Sequence, residues 1–395
     1  MQPEIRELTN DDKDANHRLG AEAFGYAPDR SPADLPPKGG YVLGAIVDGD
    51  PVAKIRLHDY VMHLPGGRQL PVTGVASVAV QPEVRGQGLL TPLFRAGLER
   101  MQRDGRPISF LFPTAAGIYR RFGYELAGAL EERELAVADL AKVRAAQGIS
   151  LGRATVDDLD TIRRLYAEWA AERLGPLTRN GPAEPMFSAD YVADPEAVTL
   201  ATDDTGRVVG SVRWTRGTGY DPATSVIDVD DLIGMTPDAT RALWRFLGTF
   251  SSVSGRIRVE LPAGDDALTA LATEPPPAVS EHRCMLALLD IPAALSARHG
   301  LAGLSAHLPF TVYGGFAAHV DGAYALDSEG GELHCAPTLF DEDGPTFHAR
   351  GLAALYAGAR RCIDLRAAGL LHGPEQYDAL WDALFNVPLQ IRDYF

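Results

Sequence analysis

The chain is 395 residues long, 46% hydrophobic and 23% charged, with a formal net charge of −16. Length alone predicts roughly two to three domains, and three are expected; the composition is that of a folded globular protein. The acidic balance argues against nucleic acid, whose phosphates it would repel, and favours capture of a cationic partner, although solubility alone accounts for it equally.

Glu4, Glu7, Asp11, Asp12 and Asp14 stand where a secretory signal would need a basic start and an apolar run, so export is not expected and a cytoplasmic location is. Leu308 to Val320 is broken by Pro309, Gly314, Gly315 and His319, short of the about 18 apolar residues a membrane span needs. No membrane is expected. Cys284, Cys335 and Cys362 are odd in number and widely separated, which predicts buried, inert thiols and a reducing compartment. The histidines from His299 to His334 lack ligand spacing, so no metal is expected.

In chain order, Thr9 to Asp14 follows a strand-like stretch and reads T-x-D-D-x-D. Thr9 can cap a helix, the acid three residues later can return the bond, and the extra carboxylates suit the positive end of the helix dipole. The same pattern recurs at Thr155 to Asp160. After each copy comes strand, turn, strand: Tyr41 to Leu57 around Asp48-Gly49, and Val198 to Thr215 around Thr205-Gly206. Shared order argues for a duplicated unit; capping boxes are common enough that chance similarity stays open.

Between the copies, Val75 to Val80 reads as a strand buried on both faces, stopped by Gln81-Pro82. Glu83 to Thr91 follows, and then Leu90, Leu93, Phe94, Leu98 and Met101 recur at helical spacing, with Pro92 tolerated in the first turn. A strand, a glycine-containing loop and a helix start together form a place for phosphate, because unpaired amides point outward and the dipole adds about half a positive charge. Arg85 could add a full charge, and Gly86 and Gly88 let the backbone approach a ligand. A merely tight turn has the same spacing. In the second copy, Asp228 to Ala242 holds Asp230 and Asp231 and no R-x-x-G, so it should repel phosphate. Beyond Cys284 an apolar stretch, short strand-like pieces, and helix-like segments at Phe347 to Arg361 and Pro374 to Phe385 suggest a third unit, approached through Pro275-Pro276-Pro277.

Arg85 and Gly88 resemble the GNAT acetyltransferase signature of Gln or Arg, two residues, Gly, one residue, then Gly or Ala; Leu90 departs at the last position. R-x-x-G-L-L followed about thirty residues later by Gly117 to Tyr124 is similar to the Eis (enhanced intracellular survival) branch of that superfamily. The resemblance implies an α/β (α+β) chain of three domains. These are a catalytic GNAT domain at 1–130, a degenerate, non-catalytic GNAT-like domain at 131–285, and a sterol-carrier-protein-like domain at 286–395. It implies an acetyl-CoA-dependent N-acetyltransferase acting on primary amines of cationic substrates, aminoglycosides first and protein lysine second, and a homo-hexamer.

The same resemblance assigns residues. Val78, Ala79 and Val80 would meet the pantetheine amides; Arg85, Gly86, Gln87, Gly88, Leu89, Leu90 and Thr91 would hold the pyrophosphate; Thr114 and Ala115 would touch the cofactor arm. Tyr119 would be the general acid toward the departing thiolate, and the α-carboxylate of Phe395 the general base. Phe24 and Tyr26 are further candidates for lining the substrate pocket, with no spacing that assigns them. The competing class is a non-catalytic protein whose third domain holds a lipid while the first senses acetyl-CoA.

Overall fold

The computed structural model describes residues 3–27, 30–183, 188–193 and 196–395. Twelve strands form one continuous sheet: β1 (Glu4–Glu7), β2 (Gly40–Val47), β3 (Asp50–Leu64), β4 (Arg68–Val80), β5 (Ile108–Leu111), β6 (Glu125–Ala136), β7 (Ile149–Arg153), β8 (Glu196–Asp203), β9 (Val208–Arg216), β10 (Val226–Gly234), β11 (Arg256–Pro262) and β12 (Ser280–Leu288). Their spatial order is β1-β2-β3-β4-β5-β12-β6-β11-β10-β9-β8-β7. Both halves therefore run outward-in through five strands and meet at a shared centre, where β12 pairs with β5 and β6, and β6 pairs with β11. The last strand of the second half is thus inserted into the first, and a division at residue 285 falls inside it.

The duplicated openings are real. Thr9 and Asp12 form a capping box, as do Thr155 and Asp158, with Thr N–H to carboxylate bonds of 2.9 and 2.8 Å. Each leads through a 3-10 turn into a helix, α1 (Lys13–Phe24) in the first half; in the second, α5 (Leu159–Ala170) follows α2 (Leu90–Arg103), α3 (Ala116–Arg120) and α4 (Val137–Leu140). The first hairpin turns at Asp48 and Gly49, both at positive φ, and the second near Gly206. On α2 the predicted apolar stripe is buried except at its start: Leu90 is partly buried, while Leu93, Phe94, Leu98 and Met101 are at most 3% exposed and pack on Ile55, Leu57, Val75 and Leu111. Burial of each such side chain contributes roughly 1.5–3 kcal/mol. Helix α6 (Pro237–Gly248) is the counterpart of α2 in the second half.

The third unit is a five-stranded sheet, β13 (Ala306–Tyr313), β14 (Gly322–Glu329), β15 (Glu332–Pro337), β16 (Thr346–His348) and β17 (Leu371–His372), ordered β15-β14-β13-β16-β17. It carries α7 (Ile291–Ser296), α8 (Ala349–Tyr356), α9 (Cys362–Ala367) and α10 (Asp378–Leu384). Its core is continuous with the sheet face of the first half that bears Tyr60, Val72 and Phe110. Arg350, on α8, and Arg120, on α3, both bind Glu125. No helix among the described residues is long and apolar enough to cross a membrane.

Candidate active site

The site begins with an irregularity in β4. Ala79 faces Lys54 and Ala76 faces Arg56, so Ser77 and Val78 together oppose Ile55 alone. Ser77 lies at φ +49°, a left-handed conformation uncommon outside glycine. Such a bulge bends a strand and raises its twist. Parallel pairing of β4 with β5 accordingly runs from Val72 with Ile108 to Val75 with Leu111 and stops. Beyond it the strands part, and the β5-facing edge of Val78, Ala79 and Val80 borders a cavity of about 570 Å³.

Arg85, Gly86, Gly88, Leu89, Leu90, Thr114 and Tyr119 line it too, with Phe24 and Arg121 among the rest of the wall, while Gln87, Thr91 and Ala115 stand outside it. Gly86 and Gly88 have φ of 80° and 79°, and a Cβ at either would project into open space. Glycine is needed there for the backbone angle and for access. The amides of Gly86, Gly88 and Leu89 donate no backbone hydrogen bond among the described residues, whereas Gln87 and Thr91 bond back to Val84 and Gly88. Arg85 is exposed and its Nε donates to Val80 O at 3.2 Å. Free amides, the two cations Arg85 and Arg121 that line the cavity, and a helix start suit a pyrophosphate.

Tyr119, on α3, is 6% exposed and packs edge-on against Phe94 at 5.9 Å and Tyr124 at 6.5 Å. Burial pushes its pKa above the usual phenol value, and its hydroxyl makes no hydrogen bond among the described residues. It therefore stays protonated at neutral pH and has a proton to donate.

Phe395 reaches the opposite sheet face. Its ring lies 5.1 Å from Tyr60, 5.2 Å from Phe110, 5.3 Å from Phe112 and 6.1 Å from His58. A Cβ on Gly74 would sit 2.6 Å from that ring, so glycine is required by the close approach. Tyr119 belongs to the core on the α2 face, and Phe395 packs on the core of the other. The two candidates flank the place where β4 and β5 separate.

The tail before Phe395 is held by buried charge from the second half. Arg392 binds Asp231 at 3.1 Å and Asp265 at 2.9 Å, and Arg179 binds Asp231 at 2.6 Å and Asp393 at 2.7 Å. Burial opposes ionisation of Asp231, but Arg179 and Arg392 outweigh it and lower its pKa. Asp231 thus has its charge matched by the tail, and its neighbour Asp230 pairs with Arg213. Where the second half would repeat the cradle, Met235 and Thr236 lead directly into α6, with Thr236 capping Ala239 N at 3.1 Å. A cavity of about 400 Å³ persists there, lined by Leu232, Asp265, Asp266 and Thr236.

The three cysteines are buried and free, and burial pushes Cys284 and Cys335 up to about 12. Cys284 lies on β12, within the sheet of the first half. Sequence reasoning missed Gly74, Ser77, Arg179, Asp265 and the roles of Asp231 and Arg392. No local pattern marks them, because each acts on a partner distant in sequence.

Residues 4–127 match the model of an acetyltransferase (GNAT) domain, 179–288 a second such model, and 291–389 that of a sterol carrier protein domain. An uncharacterized N-acetyltransferase of Streptomyces coelicolor is 29% identical over 79% of this chain and 77% of its own. A GCN5-related N-acetyltransferase from Kribbella flavida superposes with a TM-score of 0.83 at 28% identity, covering 100% of this chain and 99% of that one. N-acetyltransferase Eis of Mycobacterium tuberculosis is 30% identical over 84% of this chain and 83% of its own. With two GNAT domains, a sterol-carrier-like third and a relative of that name matched over more than four fifths of both chains, the chain belongs to the Eis family of acetyl-CoA-dependent GNAT N-acetyltransferases.

Proposed function

We propose that the first half binds acetyl-CoA between β4 and β5 and transfers its acetyl group directly to a primary amine, with no acyl-enzyme. The observation that carries this reading is the placement of Tyr119 and Phe395 on opposite faces of the strand parting. The free amides of Gly86, Gly88 and Leu89, with Arg85, hold the pyrophosphate; the edge of Val78, Ala79 and Val80, facing Thr114, takes the pantetheine arm.

The carboxylate of Phe395 accepts the amine's proton as the nitrogen bonds to the acetyl carbon. Tyr119 then donates its proton to sulfur as the C–S bond breaks, and regains one from solvent. Even an ordinary phenol, at about 10, is a weaker acid than a thiol of about 8.5, and burial of Tyr119 widens that gap, so placement of the hydroxyl matters more than driving force. The phenylalanine ring, fixed over Gly74, anchors the chain end that would otherwise fray.

The acceptors implied by the family, aminoglycoside amines and protein lysine, share the primary amine that this machinery needs. A single acetyl-CoA site per chain, a cytoplasmic location and a homo-hexamer belong to the same proposal. Release of free thiol from acetyl-CoA with a panel of amines tests it, with calorimetry for site number and light scattering for assembly. Absence of amine-dependent thiol release would favour the competing reading of a non-catalytic acetyl-CoA and lipid binder.

A further inference from the structure

On the face of β3 that bears His58 and Tyr60, alternate residues continue outward as Arg56 and Lys54. Both line a second cavity, of about 250 Å³, together with Arg30, Lys38, Tyr26 and Ser77. Ser77 lines this cavity, and the next residue of the bulge, Val78, lines the first. At its inner end Arg56 stands one strand repeat from His58, whose ring meets Phe395. The cavity therefore adjoins the proposed acetyl-CoA site across the bulge and lies along the strand that carries His58, the ring neighbour of the proposed base.

Four cations around so small a space call for explanation. Lys54 is 3% exposed and donates to Asn16 O at 2.6 Å and Asn16 Oδ1 at 2.9 Å, and it has no counter-charge among the described residues. Arg56 is half-buried, its Nε is sealed from water, and it makes no hydrogen bond or ion pair among the described residues. Arg30 lies over the Tyr26 ring at 4.2 Å and has no carboxylate partner there either. Asp34, the one acid in the lining among the described residues, is 84% exposed and pairs outward with Lys13 at 3.8 Å. Burial, with repulsion from Arg56 and Arg30 added to it, lowers the pKa of Lys54 to about 8. A half-buried guanidinium with a sealed, unbonded Nε, set among other cations, carries a desolvation cost that an anion would offset.

We infer that the acceptor is a primary amine that also carries an oxyanion, a carboxylate or a phosphate, which Arg56 binds within the cavity beside Ser77. The inference rests on the acetyl-transfer reading and narrows its acceptor: compact, anion-bearing amines over polycationic sugars. Arg30 and Lys38 supply the remaining positive field, and a planar guanidinium matches either oxyanion in a forked geometry.

Matched pairs test this: tyrosine against tyrosinamide, phosphoethanolamine against ethanolamine, with neomycin as polycation, in the thiol-release assay at constant acetyl-CoA. Amine basicity alone favours tyrosinamide over tyrosine. The expected result is kcat/KM higher for the anionic member of at least one pair by about tenfold or more, the range for a hydrogen bond to a charged group. Which pair responds distinguishes carboxylate from phosphate. Arg56→Met should bring the ratio towards one, and Arg56→Lys should retain part of it, with acetyl-CoA affinity by calorimetry unchanged in both. Equal or reversed preference in both pairs, or neomycin as the best acceptor, overturns the inference. Binding of tyrosine or phosphoethanolamine in the presence of CoA separates the two readings. Arg56-dependent binding without product would sink acetyl transfer alone, whereas turnover without anion preference would sink this inference alone.

Discussion

Arg392 and Asp231 meet at 3.1 Å with both side chains at most 7% exposed, so a residue three positions from the chain end is fixed by the second half of the sheet. Asp231 also holds Arg179, which holds Asp393. Removing one partner of a buried ion pair leaves uncompensated charge and costs about 3 to 5 kcal/mol. Asp231→Ala is therefore expected to lower stability by that amount in urea denaturation. At temperatures where it stays folded, turnover should fall with acetyl-CoA affinity retained, because the tail, not the cradle, loses its anchor. Unchanged turnover in the folded variant would count against the tail's role.

Gly74 offers a second way to displace the tail. A Cβ there meets the Phe395 ring at 2.6 Å and the Tyr60 ring at 2.7 Å. Gly74→Ala should lower kcat while acetyl-CoA binding, measured by calorimetry, stays at the parent value. Gly88→Ala should do the reverse. Its φ of 79° disfavours a side chain, by about 1 kcal/mol or more, and the new methyl would enter the space left for phosphate. Arg85→Ala, at an exposed position, should weaken acetyl-CoA binding by roughly 1 to 3 kcal/mol without a change in melting temperature.

Much of this was legible locally. The capping boxes at Thr9 and Thr155, the turn at Asp48-Gly49 and the stripe on α2 are short-range patterns, and each is present. The loop from Arg85 to Thr91 was readable as a glycine-containing turn ahead of a helix because that pattern lies in neighbouring residues. What stayed hidden depends on distant pairing. That β12 lies between β5 and β6 follows from contacts across more than a hundred residues. Asp230 and Asp231, adjacent in sequence and read together as phosphate-repelling, have separate partners: Arg213 for one, and Arg179 and Arg392 for the other. Ser77 carries no sequence mark of its left-handed backbone, and the unpaired charge of Arg56 is visible only once its surroundings are assembled.

Acid should loosen the region around the tail. Burial, reinforced by Arg56, lowers the pKa of His58 from 6.5 to about 4. The unfolded chain therefore binds more protons between those values, and stability falls as pH drops through that window; above about 6.5 the contribution is complete. Melting temperature should decline from pH 7 towards pH 5, and His58→Phe should flatten part of that slope. An identical slope in the variant would remove His58 from the account.

The most direct test of the central claim lies at the chain end. One glycine added after Phe395 leaves its ring and the Arg392 contacts available but puts a neutral amide where the carboxylate stood, moving the charge by up to about 3.6 Å. A misplacement of that size can lower a rate on the order of a hundredfold. Steady-state thiol release with the best amine should fall by about that factor, with acetyl-CoA affinity and melting temperature at parent values. Turnover at the parent rate would contradict the account and leave Phe395 as a packed tail alone.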